Sequence, residues 1–261
     1  MKLRDGKRFL EDFLLVAPLS HALWRSVEAI SFSSVDAEKP VLDLGCGFGE
    51  FSGVVFGELE CGIDINQRDL MVAMQGGGYN HVIKADARKL PFDTEEFSTV
   101  ISVSVMEHIE NAENAILEVR RVLKRNGLFV FSVPTVDLYK TLYFPKALRF
   151  LGLGRIADYY IKLHKKAFGH VTIRRASWWE RKLKEAGFRV IKKEGTISKD
   201  LVKLHEAFLL SAFPSQLWRW IFGKRLIIFP VRSKLLSPYF SKFVYTDKKC
   251  GVNVFFVAQK K

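Results

Sequence analysis

At 261 residues the chain is long enough for one large α/β domain with insertions and a sizeable buried core. With 48% apolar and 26% charged residues it has the balance of a soluble globular protein rather than of a disordered chain. Its 41 Lys and Arg outnumber 28 Asp and Glu, and the resulting +13 predicts attraction to something anionic: nucleic acid, acidic lipid head groups or a phosphorylated substrate.

No membrane span is expected, because such a helix needs about 20 mostly apolar residues. The longest charge-free stretches, 13–24 and 207–218, stop short of that. Glu11 and Asp12 interrupt any apolar core behind the basic N-terminus, which makes a poor signal peptide. Cys46, Cys61 and Cys250 show no metal-ligand spacing; they read as small apolar residues in a reducing compartment, with no metal expected. A cytoplasmic protein is the expectation.

In chain order, residues 7–32 predict one or two helices with Phe9, Phe13, Val16, Leu23, Val27 and Ile30 on the apolar face. After a linker, Val41-Leu42-Asp43-Leu44 reads as a short buried strand. Gly45, Gly47 and Gly49 follow at alternate positions, and helical spacing resumes through Phe51, Val54 and Val55. Strand, tight glycine turn and helix form the entry to a nucleotide-type site in a doubly wound sheet. A side chain at the turn would hold a ligand off the backbone. A dinucleotide fingerprint runs G-x-G-x-x-G, whereas Glu50 holds the place of its third glycine. A phosphate cradle would add a Lys-Ser/Thr pair, and none follows. Asp43 before the turn and Glu50 within it suit a ligand carrying positive charge.

The stretch from Val41 to Gly49 resembles the first motif of the class I S-adenosylmethionine-dependent methyltransferases. That resemblance implies an α/β fold: a Rossmann-like seven-stranded sheet with helices on both faces and an antiparallel last strand. It implies S-adenosylmethionine as cofactor, bound at Asp43, Gly45, Gly47 and Gly49. The next expected strand, 60–65, ends in Asp64, about twenty residues after the turn, where such sites place a carboxylate on ribose hydroxyls. The alternative reading of Asp64 is a strand-end acid capping the next helix, 66–74. A third strand, 81–84, leads to Asp86, whose family counterpart bonds the adenine amino group, and to a Leu90-Pro91-Phe92 typical of the family. Ile65, Ala87 and the strand-end Val103 join the cofactor site on the same resemblance, Val103 through its backbone.

The fourth strand is expected at 97–103 and a helix at 111–125, with Gly127 as its left-handed stop. The fifth strand, 128–133, is apolar throughout and reads as buried on both faces. Residues 135–170 form an insertion of aromatic and basic residues. Ser177 predicts a capping box with Glu180, and Gly187 closes that helix before a sixth strand, 188–193. A second insertion, 196–247, precedes a last strand at 251–258. One domain is expected: an N-terminal helical segment 1–39, a cofactor-binding half 40–134, helical insertions 135–170 and 196–247, and the rest of the sheet in 175–195 and 248–261.

Methyl transfer from a sulfonium is an in-line displacement, and positioning alone can supply roughly 7–11 kcal/mol. A base is needed only for a weakly nucleophilic acceptor such as a hydroxyl or phenol. His108, just past the fourth strand, is the candidate; Glu-His is common there in the small-molecule, quinone-like type 11 branch that the chain resembles. Helix capping or packing is its other reading. His164, His170 and His205 are candidates on the acceptor side.

In the second insertion, Phe208, Trp218, Leu226, Ile227, Ile228, Phe229, Leu235, Tyr239 and Phe240 are interleaved with Lys203, Lys224, Arg225, Lys234 and Lys242. Such faces suit either an apolar substrate lid or an anionic membrane surface. The expected partner is therefore a small-molecule or lipid-linked acceptor, with the protein peripheral at the inner membrane face. An RNA methyltransferase using the basic insertions, or a non-catalytic membrane-associated module, are the alternatives. Nucleic acid is disfavoured because the loop after the fourth strand, Ser102 to Val105, lacks the Asp/Asn-Pro-Pro-aromatic signature of amino-methylating enzymes.

Overall fold

The structure, a computed structural model, describes residues 6–222, 231–247 and 249–261. Lys224, Arg225, Leu226, Ile227, Ile228 and Phe229 of the second insertion lie outside the described residues. Helices α1 (Gly6–Val16) and α2 (Leu19–Ser33) lead into β1 (Val41–Leu44), α3 (Glu50–Val55), β2 (Leu59–Asp64), α4 (Gln67–Gln75), β3 (Tyr79–Lys84) and β4 (Phe97–Val103). Then come α5 (Ala112–Val122), β5 (Leu123–Pro134), α6 (Asp137–Thr141), α7 (Tyr143–Phe150), α8 (Gly154–Ala167), α9 (Ala176–Glu185) and β6 (Phe188–Ser198). The chain closes through α10 (Lys199–Ala207), α11 (Leu209–Phe222), α12 (Arg232–Val244) and β7 (Lys249–Lys260).

The seven strands form one sheet in the order β3-β2-β1-β4-β5-β7-β6. The first five are parallel, and β7 runs antiparallel to both of its neighbours. Alternation along the strands divides the core in two. Val130 and Phe255 face the layer built by α1, α2, α3, α10 and α12, while Phe129, Phe131 and Phe256 face α5 and α9. Burial on both sides explains why β5 reads as an unbroken apolar run.

Two local expectations are corrected. Within β5 it is Asn126 that takes φ +62°, whereas Gly127 is not left-handed. Gly127 is needed for space: a Cβ there would lie 2.9 Å from the carbonyl oxygens of both Lys124 and Ser98. Nor does Ser177 cap α9. The helix starts one residue earlier with Arg175 at its N-cap and no side-chain cap bond, and Glu180 instead pairs with Lys184 and Lys193 at 2.7 Å each.

Long-range polar contacts tie the helical segments to the sheet. Glu28 on α2, fully buried, accepts from Ser104, Ser132 and Asn253 through one oxygen and from Arg25 through the other. At the end of α1 the Arg232 guanidinium accepts nothing and donates to the carbonyls of Leu14 and Ala17, caps that the helix cannot supply itself. Phe255 meets Phe32 of α2 edge-on at 5.0 Å. Phe255→Ala is expected to lower unfolding free energy by about 3–5 kcal/mol in urea titration. A loss under about 1 kcal/mol would mean α2 is not anchored there.

Candidate active site

The glycine turn sits at the carboxyl ends of the parallel strands. Gly45, Gly47 and Gly49 have φ of +81°, +53° and +74°, a region costly for any residue with a Cβ. At Gly45 an added Cβ would also run into the Val105 side chain, whereas beside Gly47 there is open space. The turn is therefore packed from behind and bare in front. Its N–H groups at Gly45 and Cys46 donate to the Ile63 carbonyl at 2.8 and 2.9 Å.

Asp64 completes the turn. One carboxylate oxygen accepts from the Gly47 N–H at 2.9 Å and the other from the Asn66 N–H at 2.8 Å. Each oxygen retains a second lone pair able to accept from a ligand hydroxyl, while α4 itself is capped by Asn66, whose side chain accepts from the Arg68 N–H. Ile65 beside it is 69% exposed, a flat apolar surface at the strand tip. Asp86 lies two residues past the end of β3, which pairs with β2 through Asp64 and Lys84. Its carboxylate is held by the backbone and guanidinium of Arg88, which lower its pKa. Ala87 is partly buried next to it.

Asp43 is placed differently from its expected role. It is buried behind the turn, accepting from the Ser52 and Tyr79 hydroxyls, and burial pushes its pKa up to about 6. It braces the turn; charge complementarity in front falls to Asp64.

At the tip of β4 the Val103 carbonyl accepts from Arg25 at 3.3 Å. Sequence reasoning missed Arg25. It lies in a helix read only for its apolar face, and nothing local marks a cation that acts across 78 residues. Ser104 then adopts φ +54°, held by its N–H to the Ser132 carbonyl and its hydroxyl to Glu28. Such a conformation costs on the order of 1–3 kcal/mol and re-aims the chain into the Met106–His108 turn.

The segment after α8 folds back on that turn, with Val171 and Thr172 donating to the Glu107 carbonyl. His108 is thereby set beside His170, ring centres 5.5 Å apart. His108 Nδ1 bonds the Gly169 carbonyl at 2.9 Å, and since a carbonyl only accepts, Nδ1 carries the proton. Nε2 faces the Glu107 carboxylate at 3.8 Å, and burial lowers the His108 pKa, which keeps the ring neutral. His170 bonds Tyr139 Oη at 2.5 Å, and burial brings its pKa down to about 3.

His164 and His205 are packing residues. His164 is buried with neither ring nitrogen bonded and stacks on Phe168 at 4.5 Å, its pKa brought down to about 4. His205 is buried and donates to the Ser20 carbonyl. Glu107, 1% exposed, has one carboxylate oxygen without a partner. Glu107, His108 and His170 each bring a ligating atom within 4.8 Å of the others, the grouping among the described residues that could hold a cation.

Residues 42–131 match the family model described as a methyltransferase domain, type 11. An uncharacterised protein of Methanocaldococcus jannaschii is 29% identical over 163 residues, 62% of this chain and 71% of that protein. The ubiquinone/menaquinone biosynthesis C-methyltransferase of Pseudomonas fluorescens is 32% identical over 148 residues, and the match covers 51% of this chain and 57% of that enzyme. The chain thus spans little more than half the length of that relative. A SAM-dependent methyltransferase of Thermotoga maritima shares the fold, with a TM-score of 0.60 at 20% identity over 93% of this chain and 92% of the other. Over residues 42–131 the chain matches a type 11 methyltransferase domain, and the chain shares the α/β fold of class I methyltransferases. Its cofactor is S-adenosylmethionine.

Two predictions follow from these groups. Asp64→Asn is expected to weaken S-adenosylmethionine binding in calorimetry by roughly tenfold or more, the worth of about 1.5–3 kcal/mol for a charged hydrogen bond; unchanged affinity would remove Asp64 from the site. Burial pushes Glu107 up to about 8 from an ordinary 4.5. The native state therefore holds a proton that the unfolded chain releases, and that stabilisation, complete below 4.5, is lost as pH rises through about 8. Relative to wild type, Glu107→Gln should gain in Tm between about pH 5 and about pH 9. Parallel Tm curves would contradict a buried neutral acid.

Proposed function

We propose that the chain transfers a methyl group from S-adenosylmethionine to a hydroxyl or activated carbon of a small or lipid-linked acceptor, with His108 as base. When bound, the cofactor supplies a methyl group on a positively charged sulfur. Gly47 and Asp64 would hold its ribose side, Ile65 its adenine face, Asp86 and Ala87 the adenine edge, and Val103 the far end. Arg25, beside the Val103 carbonyl, is a cation placed to meet a carboxylate.

The reading is supported by His108: a neutral ring whose Nδ1–H is fixed on the Gly169 carbonyl, with Nε2, beside the Glu107 carboxylate, as the nitrogen that would take a proton from the acceptor. The neighbouring His170 ring is kept uncharged, so it does not oppose the charge His108 gains. The thiols offer no rival chemistry. Burial pushes Cys61 up to about 12 and raises Cys46 further, far from thiolate at neutral pH. A lipid-linked acceptor at a membrane surface is supported by the net charge of +13 and by exposed Leu235 and Tyr239 on α12, flanked by Lys234 and Lys242. Among the described residues no helix is long and apolar enough to cross a membrane.

His108→Ala is expected to lower kcat about 10²–10⁴-fold while S-adenosylmethionine affinity, read by calorimetry, stays as in wild type. Wild-type kcat/KM should be flat at neutral pH and fall on the acid side, below the ordinary histidine range, because the lowered pKa delays protonation. An acid limb that persists unchanged in His108→Gln would assign the titration elsewhere.

A further inference from the structure

The hairpin made by α7 and α8 has an exterior that the fold leaves unused. Its tip carries Phe150, 91% exposed, Leu151 at 68% and Leu153. From there Ile156, Tyr159 and Leu163 run down the outer side of α8 at helical spacing, all exposed. Exposed apolar side chains grouped in this way mark an interaction site. Its surroundings state the sign of the partner: between 143 and 170 there are six Lys and Arg and a single acid, Asp158, which pairs with Arg149.

At the base of the hairpin lies a cleft of about 590 Å³ whose lining includes Lys146, Lys199, Lys203 and Lys249, opposed only by Asp200. Lys146 stands on α7 four residues before Phe150, about 6 Å along the helix axis. The lysine cleft and the apolar tip therefore belong to one face.

We propose that this face docks on an anionic lipid bilayer, the α7–α8 tip entering the interface and the lysine cleft receiving lipid phosphate. The inference deepens the reading of a lipid-linked acceptor and rests on it for its purpose. Apolar side chains edged by Lys and Arg are the two components of interfacial binding, one contributing buried area and the other attraction to negative head groups. The placement also serves the chemistry. On α8, Ala157, Tyr160 and His164 lie one position round from the exposed stripe and point inward, where His164 packs on Tyr139, the partner of His170. A single helix thus has the bilayer on one flank and the acceptor-side histidines on the other, so an acceptor anchored in lipid has a short path inward.

Sedimentation with phosphatidylglycerol-containing vesicles, beside pure phosphatidylcholine vesicles, tests the proposal. The wild-type protein should pellet with the anionic vesicles, far less with the neutral ones, and less as salt rises. Phe150→Asp/Leu151→Asp and Lys199→Glu/Lys203→Glu change only exposed side chains, so fold and S-adenosylmethionine affinity should stay as in wild type. Each double variant should lower partitioning by roughly tenfold or more. If both pellet like wild type, the inference falls while a lipid-linked acceptor still stands on the His108 experiments. If wild type ignores both vesicles, the inference also falls, and dimerisation lost in Phe150→Asp/Leu151→Asp would assign the face to a second copy of the chain.

Discussion

The hydrogen bond from the Gly47 N–H to the Asp64 carboxylate is the contact on which the geometry of the glycine turn depends. It joins the one stretch of backbone left bare to the tip of the neighbouring strand. A turn with three left-handed glycines at alternate positions has little reason of its own to hold one shape. The Ile63 carbonyl grips it from one side, Asp64 from another, and Val105 fills the space behind Gly45. What remains open is the front of Gly47. Glycine and carboxylate are thus a matched pair, the first making room and the second fixing where that room lies.

The edge beyond β4 is organised by a different device, the buried Glu28. Its four partners come from α2, the end of β4, β5 and β7, so one carboxylate sets the N-terminal helices against three strands. An isolated buried charge would be costly, and here it is compensated by a guanidinium, two hydroxyls and an amide. Through Ser104 the same group holds the left-handed residue that turns the chain toward His108. Strain at Ser104 and charge at Glu28 therefore sustain one another.

Much of this was legible in the residues, and what was not has a physical reason. The strand and the glycine turn are set by residues within a few positions of one another, whereas Asp64 reaches 17 residues back to the Gly47 N–H. Asp43 looked like part of the ligand surface because spacing cannot tell which way a strand-end carboxylate faces; Ser52 and Tyr79 decided it. Gly127 looked like a helix stop because a glycine needed for close strand approach and one needed for φ leave the same letter. His164 and His205 read as site candidates because a histidine in an aromatic context carries no mark of whether its nitrogens are free. Arg25 and Glu28 were illegible for the opposite reason, since their partners lie as far away as residue 253.

The Arg232 cap on α1 has a consequence for how the chain is made. The carbonyls of Leu14 and Ala17 wait for a side chain more than two hundred residues downstream. As the polypeptide leaves the ribosome, the glycine turn and first strands can assemble while the opening helices still lack their closing partner. Contacts that span so much sequence are slow to form. The end of α1 is thereby among the last parts of the fold to be locked in place.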